Sequence, residues 1–184
     1  PMGLRADALA AAAALVTAIE AEATRLASLG SHFTATVGEF CITPSAANVV
    51  PGAARLLIDA RAVERARMEG FLGWLEVRLT DLPQGITASH RVLSDNPPTP
   101  MDAGLIVLLE QAATTCGASQ RRMASGAGHD AAFIARIAPA AMIFVPCREG
   151  RSHCPEEWAE TDDIALGAEV MAEAILAFDA QQGE

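Results

Sequence analysis

His129 stands in SGAGHDAAF and His153 in GRSHCPEEW, each in a Gly-, Ser- and acid-rich loop beside an apolar segment. A neutral imidazole is a good ligand for zinc or manganese. His153 follows an apolar run, and loops after buried strands in open α/β sheets are common places for sites. That makes His153 a candidate metal ligand; the plainer reading is a loop histidine with ordinary hydrogen bonds. The glycines before His129 let backbone approach a ligand closely, and the helix start after it attracts anions. A plain glycine turn is the alternative, with Asp130 as a helix-start acid. Arg61 ends a β-rich stretch and shares a face with Asp59. Its planar guanidinium could clamp a carboxylate with two parallel hydrogen bonds, or it could simply pair with Asp59. Asn48 precedes VVPG and reads as a turn residue with no other role. His32 and His90 receive no role.

Other chemistries find little support. The four cysteines, at 41, 116, 147 and 154, form no CxxC pair and fit no zinc-ribbon spacing. Cys147, His153 and Cys154 are all ligand types, but adjacent His and Cys side chains rarely converge on one ion. The acids from Glu156 to Asp163 read as a solvated helix start. There is no serine-nucleophile elbow, phosphate-binding loop or dinucleotide glycine fingerprint.

The elements that must position these residues follow from periodicity and punctuation. Residues 6–29 read as a helix, with Leu9, Ala13, Val16, Ile19 and Ala23 near a 3.6-residue period and Gly30 as its stop. Residues 32–42 and 53–63 read as strands joined by the turn-rich stretch 43–52; Ala54, Leu56, Ile58 and Ala60 share one face. Residues 64–82 read as an amphipathic helix carrying Met68, Phe71, Leu72, Leu75 and Leu79 on its apolar side. Residues 86–94 read as a strand. Three prolines in DNPPTPMD mark a linker. Beyond it come a helix at 103–116, a short helix near 129–137, and the continuous apolar run 140–147 that suggests a strand buried on both faces. A loop at 148–161 and a last helix at 162–180, opened by Asp162 and Asp163, complete the chain.

The first half, helix-strand-strand-helix-strand, matches a ferredoxin-like β-α-β-β-α-β unit without its first strand. The second half offers one lone buried strand, which cannot satisfy its own backbone groups. Both sheets therefore need strands beyond those read here. A chain of 184 residues that is 51% apolar can bury a core in one domain or two small ones. A net charge of −10 argues against nucleic acid and anionic membranes as partners. No run reads as a transmembrane helix, and PMGLRADAL lacks the pattern of a secretory signal. A cytoplasmic location is the expectation.

In order along the chain, PMGLRADAL, TVGEF, PSAANVVPG, LLIDAR, SGAGHDA and MIFVPCREGRSHCPEEW resemble the C-terminal portion of the zinc-dependent N-carbamoyl-L-amino-acid hydrolases. Allantoate amidohydrolase and β-ureidopropionase are relatives in that family, within the clan of metal-dependent aminoacylases and carboxypeptidases. The resemblance implies a mixed α+β and α/β fold. Residues 3–96 would be a ferredoxin-like lid that mediates dimerisation and lacks its first strand. Residues 97–184 would be the end of a metallopeptidase-like α/β catalytic domain. It implies His153 as the last metal ligand, His129 as a substrate contact, and Asn48 and Arg61 as lid residues that hold the substrate carboxylate, reaching a neighbouring subunit's site. It also implies two divalent metal ions (zinc, or manganese, cobalt or nickel) in the intact enzyme, a small-molecule N-carbamoyl amino acid or allantoate-like substrate, and a homodimer.

The family's HxD motif, bridging Asp, Glu-Glu pair with the general base, and other ligand His have no counterpart in this sequence. The chain alone is then expected to be inactive and to bind metal weakly. Arg151 and Cys154 depart from the family's usual residues, and a cationic Arg151 beside His153 disfavours a metal unless it points away. Two other readings stand beside this one. The first is a non-catalytic dimerisation module, and the second is an aminoacylase or peptidase of the same clan.

Overall fold

Asp7 opens the first helix because its side chain takes an otherwise orphaned backbone donor: Ala10 N–H donates to Asp7 Oδ1 at 3.1 Å. Helix α1 runs Ala8–Ala27 in a computed structural model that describes residues 1–182. The chain divides into two compact units, Pro1–Pro98 and Thr99–Glu184, and it is mixed α and β.

In the first unit, α1 leads into an antiparallel pair, β1 (Phe33–Thr43) and β2 (Ala53–Ala62), and then α2 (Arg65–Thr80). The register pairs Phe33 with Ala62 and Thr43 with Ala53, with one irregularity between Val37 and Glu39. Strict alternation on β2 turns Ala54, Leu56, Ile58 and Ala60 inward, as their period-2 spacing predicts. Ile19, Ala23 and Leu26 of α1 meet Phe33 of β1 and Phe71 and Leu75 of α2 in one core. Phe71 stacks 5.7 Å from Trp74 and lies tilted 5.3 Å from Phe33. Arg67 of α2 ties the layers together, since Nη1 donates to Leu26 O at 2.9 Å and Nη2 to Leu29 O at 3.1 Å. Leu26 O also accepts Leu29 N–H at 3.2 Å, and a cation suits the carbonyl-rich end of α1.

In the second unit, α3 (Ala103–Thr115) packs on α5 (Thr161–Gln182) through Leu108, Ala112 and Ala113 against Val170 and Ala174. Asp102 caps α3 by accepting from Leu105 N–H at 2.8 Å. Gly117 follows α3 at φ +70, a left-handed value that glycine adopts without strain. A Cβ on Gly167 of α5 would lie 2.6 Å from Val145 Cγ1, so α5 approaches the apolar run 140–147 more closely than any larger residue permits.

Three expectations need correction. Residues 86–94 form no strand; the stretch is mostly exposed, and Ile86 N–H donates only to Pro83 O, at 3.0 Å. Residues 140–147 form no strand either and are not buried on both faces, since Phe144 is 43% exposed. The physical reason is shared. A strand exists through a neighbour's N–H and C=O groups, and among the described residues β1 and β2 form the only sheet. The short helix near 129–137 shrinks to α4, Ala131–Ile134.

Candidate functional site

Arg61 and Asn48 lie in the first unit. Arg61 sits near the end of β2, opposite Thr34. Its guanidinium forks onto Asp59, with Nε to Oδ1 at 3.1 Å and Nη2 to Oδ2 at 2.7 Å. The hydrogen bond from Arg61 holds the Asp59 carboxyl below its usual value, partial burial opposes this, and charge attraction adds to it. The same pairing pushes Arg61 upward. This bidentate geometry is the one a substrate carboxylate would require, and here the neighbour two residues back fills it. Both side chains are about half exposed, so the pair contributes little to stability.

Asn48 is exposed in the β1–β2 connection, in a turn where Val49 N–H donates to Ala46 O at 3.3 Å. That connection leaves the ribbon at the Thr43–Ala53 end, whereas Arg61 stands near the other end. At about 3.3 Å per residue, the strand from Ala53 to Arg61 covers roughly 26 Å. The structure thus sets Asn48 and Arg61 apart along one ribbon.

His129 and His153 lie in the second unit. His129 is half-buried just before α4. Ser125 Oγ lies 2.7 Å from its Nε2. The Phe144 ring meets the imidazole edge-on at 5.6 Å. Ser125 also takes Ala127 N–H at 3.1 Å and lies 3.1 Å from Ala127 O, so the serine folds the glycine turn around itself. Ser125 is absent from the candidates that the sequence offers. Its signal was a hydroxyl at the head of a Gly-rich turn, where side-chain-to-backbone bonds are favoured.

His153 is exposed and holds a left-handed backbone, φ 57. Glu149 does the same at φ 55. A non-glycine residue in this region is uncommon and persists only where its surroundings enforce it. Glu157 supplies that enforcement, its Oε2 accepting from His153 N–H at 2.8 Å. The base of the loop is closed by Arg148 N–H donating to Trp158 O at 2.7 Å, with the Arg148 guanidinium 5.6 Å over the Trp158 ring. Arg151 pairs with Glu149 at 2.6 Å, which compensates its charge.

Among the described residues, no three His, Cys, Asp or Glu side chains converge to hold a metal ion. Cys147, His153 and Cys154 accordingly form no centre. The residues present do not fit a resident metal by themselves, because one imidazole does not hold a catalytic ion. A groove of about 460 Å³ between α3 and the end of α5, lined by Leu105, Leu108 and Phe178, contains none of the four candidates.

Residues 5–177 match the family described as Peptidase family M20/M25/M40. The chain is 33% identical over 181 residues to the N-carbamoyl-L-amino-acid amidohydrolase of Paenarthrobacter aurescens, covering 97% of this chain and 43% of that protein. It is 32% identical to the ureidoglycolate hydrolase of Oryza sativa subsp. japonica, covering 98% of this chain and 37% of the relative. It is 34% identical over 142 residues to the allantoate amidohydrolase of Bacillus subtilis, covering 76% of this chain and 34% of the relative. The crystal structure of AtUAH in complex with glyoxylate superposes with a TM-score of 0.84 at 32% identity, over 95% of this chain and 41% of that one. The chain thus spans less than half the length of these relatives.

Proposed function

Because the chain belongs to Peptidase family M20/M25/M40, we propose that it serves in metal-dependent hydrolysis of the carbamoyl C–N bond of an N-carbamoyl amino acid or an allantoate-like substrate. The observation that carries the reading is its likeness, over 97% of its length, to an amidohydrolase of that name. In this reading Arg61 holds the substrate carboxylate, exchanging Asp59 for it. Asn48 assists, and His129 contacts the substrate. Both Asn48 and Arg61 would reach the site of a neighbouring subunit in a homodimer.

His153 would contribute one imidazole to a two-metal centre of zinc, manganese, cobalt or nickel whose other ligands lie outside the described residues. When bound, such ions polarise a carbonyl and activate water. This chain's own part is to bind and orient. The general base is not among its residues, so the chain alone is inactive in this reading. Its four cysteines are unpaired, which accords with a reducing, cytoplasmic location.

The test is hydrolysis of N-carbamoyl amino acids, allantoate and ureidoglycolate, with metal content measured, on this chain and on an upstream-extended version. The expected outcome is turnover and about two bound metals only in the extended protein, both lost in His153→Ala. Among the described residues no ligand set converges, and one second reading stands beside this one, a non-catalytic dimerisation module. An inert, metal-free extended protein that still dimerises would select it, and turnover by the short chain alone would overturn both.

A further inference from the structure

The Ser125 hydroxyl meets three polar atoms, and only one arrangement of protons serves all three contacts. A serine hydroxyl donates one hydrogen bond and accepts two. Ala127 N–H must donate to Oγ, at 3.1 Å, because an amide nitrogen cannot accept. Oγ also lies 3.1 Å from Ala127 O, which can only accept. If the single hydroxyl proton goes to that carbonyl, the 2.7 Å contact with His129 must run the other way, from Nε2–H to Oγ. The alternative sends the hydroxyl proton to a bare Nε2. It leaves the Ala127 carbonyl facing an oxygen lone pair at 3.1 Å, with no proton between them.

We propose that Ser125 is a positioning residue that holds His129 with its proton on Nε2 and leaves Nδ1 bare as the acceptor. Phe144, edge-on at 5.6 Å, limits rotation of the ring. In neutral form, His129 then meets an incoming group through Nδ1 as a hydrogen-bond or proton acceptor. The ligand chemistry that suits it is a donor, such as an amide or ureido N–H. The identity of that donor rests on the function proposed above. The tautomer does not, so the two can fail separately.

The experiment is 15N-histidine NMR of the 184-residue chain, at a pH well above the ordinary imidazole range. His129→Gln identifies the ring signals. The expected result is a protonated Nε2 with a resolved ring proton protected from water, and a bare Nδ1. Ser125→Ala loses that protected proton and moves both nitrogen signals toward those of a free imidazole, while Ser125→Thr retains them. A bare Nε2 in the wild-type chain overturns the proposal without reference to any variant, and so does a Ser125→Ala spectrum unchanged at both nitrogens. Should Ser125→Ala not fold, the wild-type tautomer together with Ser125→Thr decides. Loss of the protected proton in the threonine variant, with the other three histidines undisturbed, would also count against it.

Discussion

Arg61 shows how a residue's chemistry is set by the nearest group that can satisfy it. Its fork is closed by Asp59, on the same face two residues back. Arg61→Ala and Asp59→Asn are each expected to change stability at pH 7 by less than about 1 kcal/mol, because the pair is half exposed. The sign of the pH dependence follows from the lowered Asp59 carboxyl. A depressed carboxyl contributes stability that is present above its unfolded value, about 3.9. That contribution is lost as pH falls through the lower folded value. Thermal melts below about pH 4 should therefore lose this small increment in the wild-type chain and show no such loss in Asp59→Asn. Equal acid sensitivity in both would mean that the fork does not persist in solution. The candidate types at 61, 129 and 153 were legible in the sequence. Their partners Ser125 and Glu157 were not, since a side chain's partner depends on the path of the loop between them.

At the scale of elements, two close contacts carry predictions. Phe71 is 1% exposed between Phe33 and Trp74, so Phe71→Ala should cost about 3–5 kcal/mol by denaturant melt. Gly167 faces Val145 Cγ1 at a distance no Cβ tolerates. Alanine there would gain up to about 1 kcal/mol of helix propensity but force a shift costing about 1–3 kcal/mol. Gly167→Ala should therefore destabilise on balance. Val145→Ala opens the space, so the double variant should be more stable than the sum of the two single changes predicts. Strict additivity would show that α5 does not rest on the 140–147 run. Helix bounds were legible because caps and periodicity are local, as at Asp7 and Asp102. The Gly167 approach was not, because it joins segments more than twenty positions apart in sequence.

For the whole molecule, the telling feature is backbone without a ladder. Among the described residues, 86–94 and 140–147 read as β in sequence yet join no sheet. One face of α5 leaves Ile164, Met171, Ile175 and Phe178 exposed. The relatives are more than twice as long, which accords with a fold whose remaining strands lie outside these residues. Amide hydrogen exchange tests this. In the 184-residue chain both segments should exchange at rates near those of unprotected amides, while β1 and β2 are protected. In an upstream-extended protein both segments should slow by orders of magnitude. Fast exchange in both would mean that neither segment is a strand in any context.

The sequence by itself determined the four long helices, the β1–β2 ribbon with its inward face, and the family. Each of these is written locally: helix bonds join i to i−4, a hairpin joins neighbours in the chain, and the family is carried by short contiguous motifs. Tertiary structure decided the rest. Whether 86–94 and 140–147 become strands depends on a neighbour's backbone. The pairing of Arg61 with Asp59 was open to the sequence, two residues apart on one face, whereas the way the His129 ring is held depends on the path of its loop. Local hydrogen bonds can be read along the chain, whereas non-local ones exist only once distant segments have met.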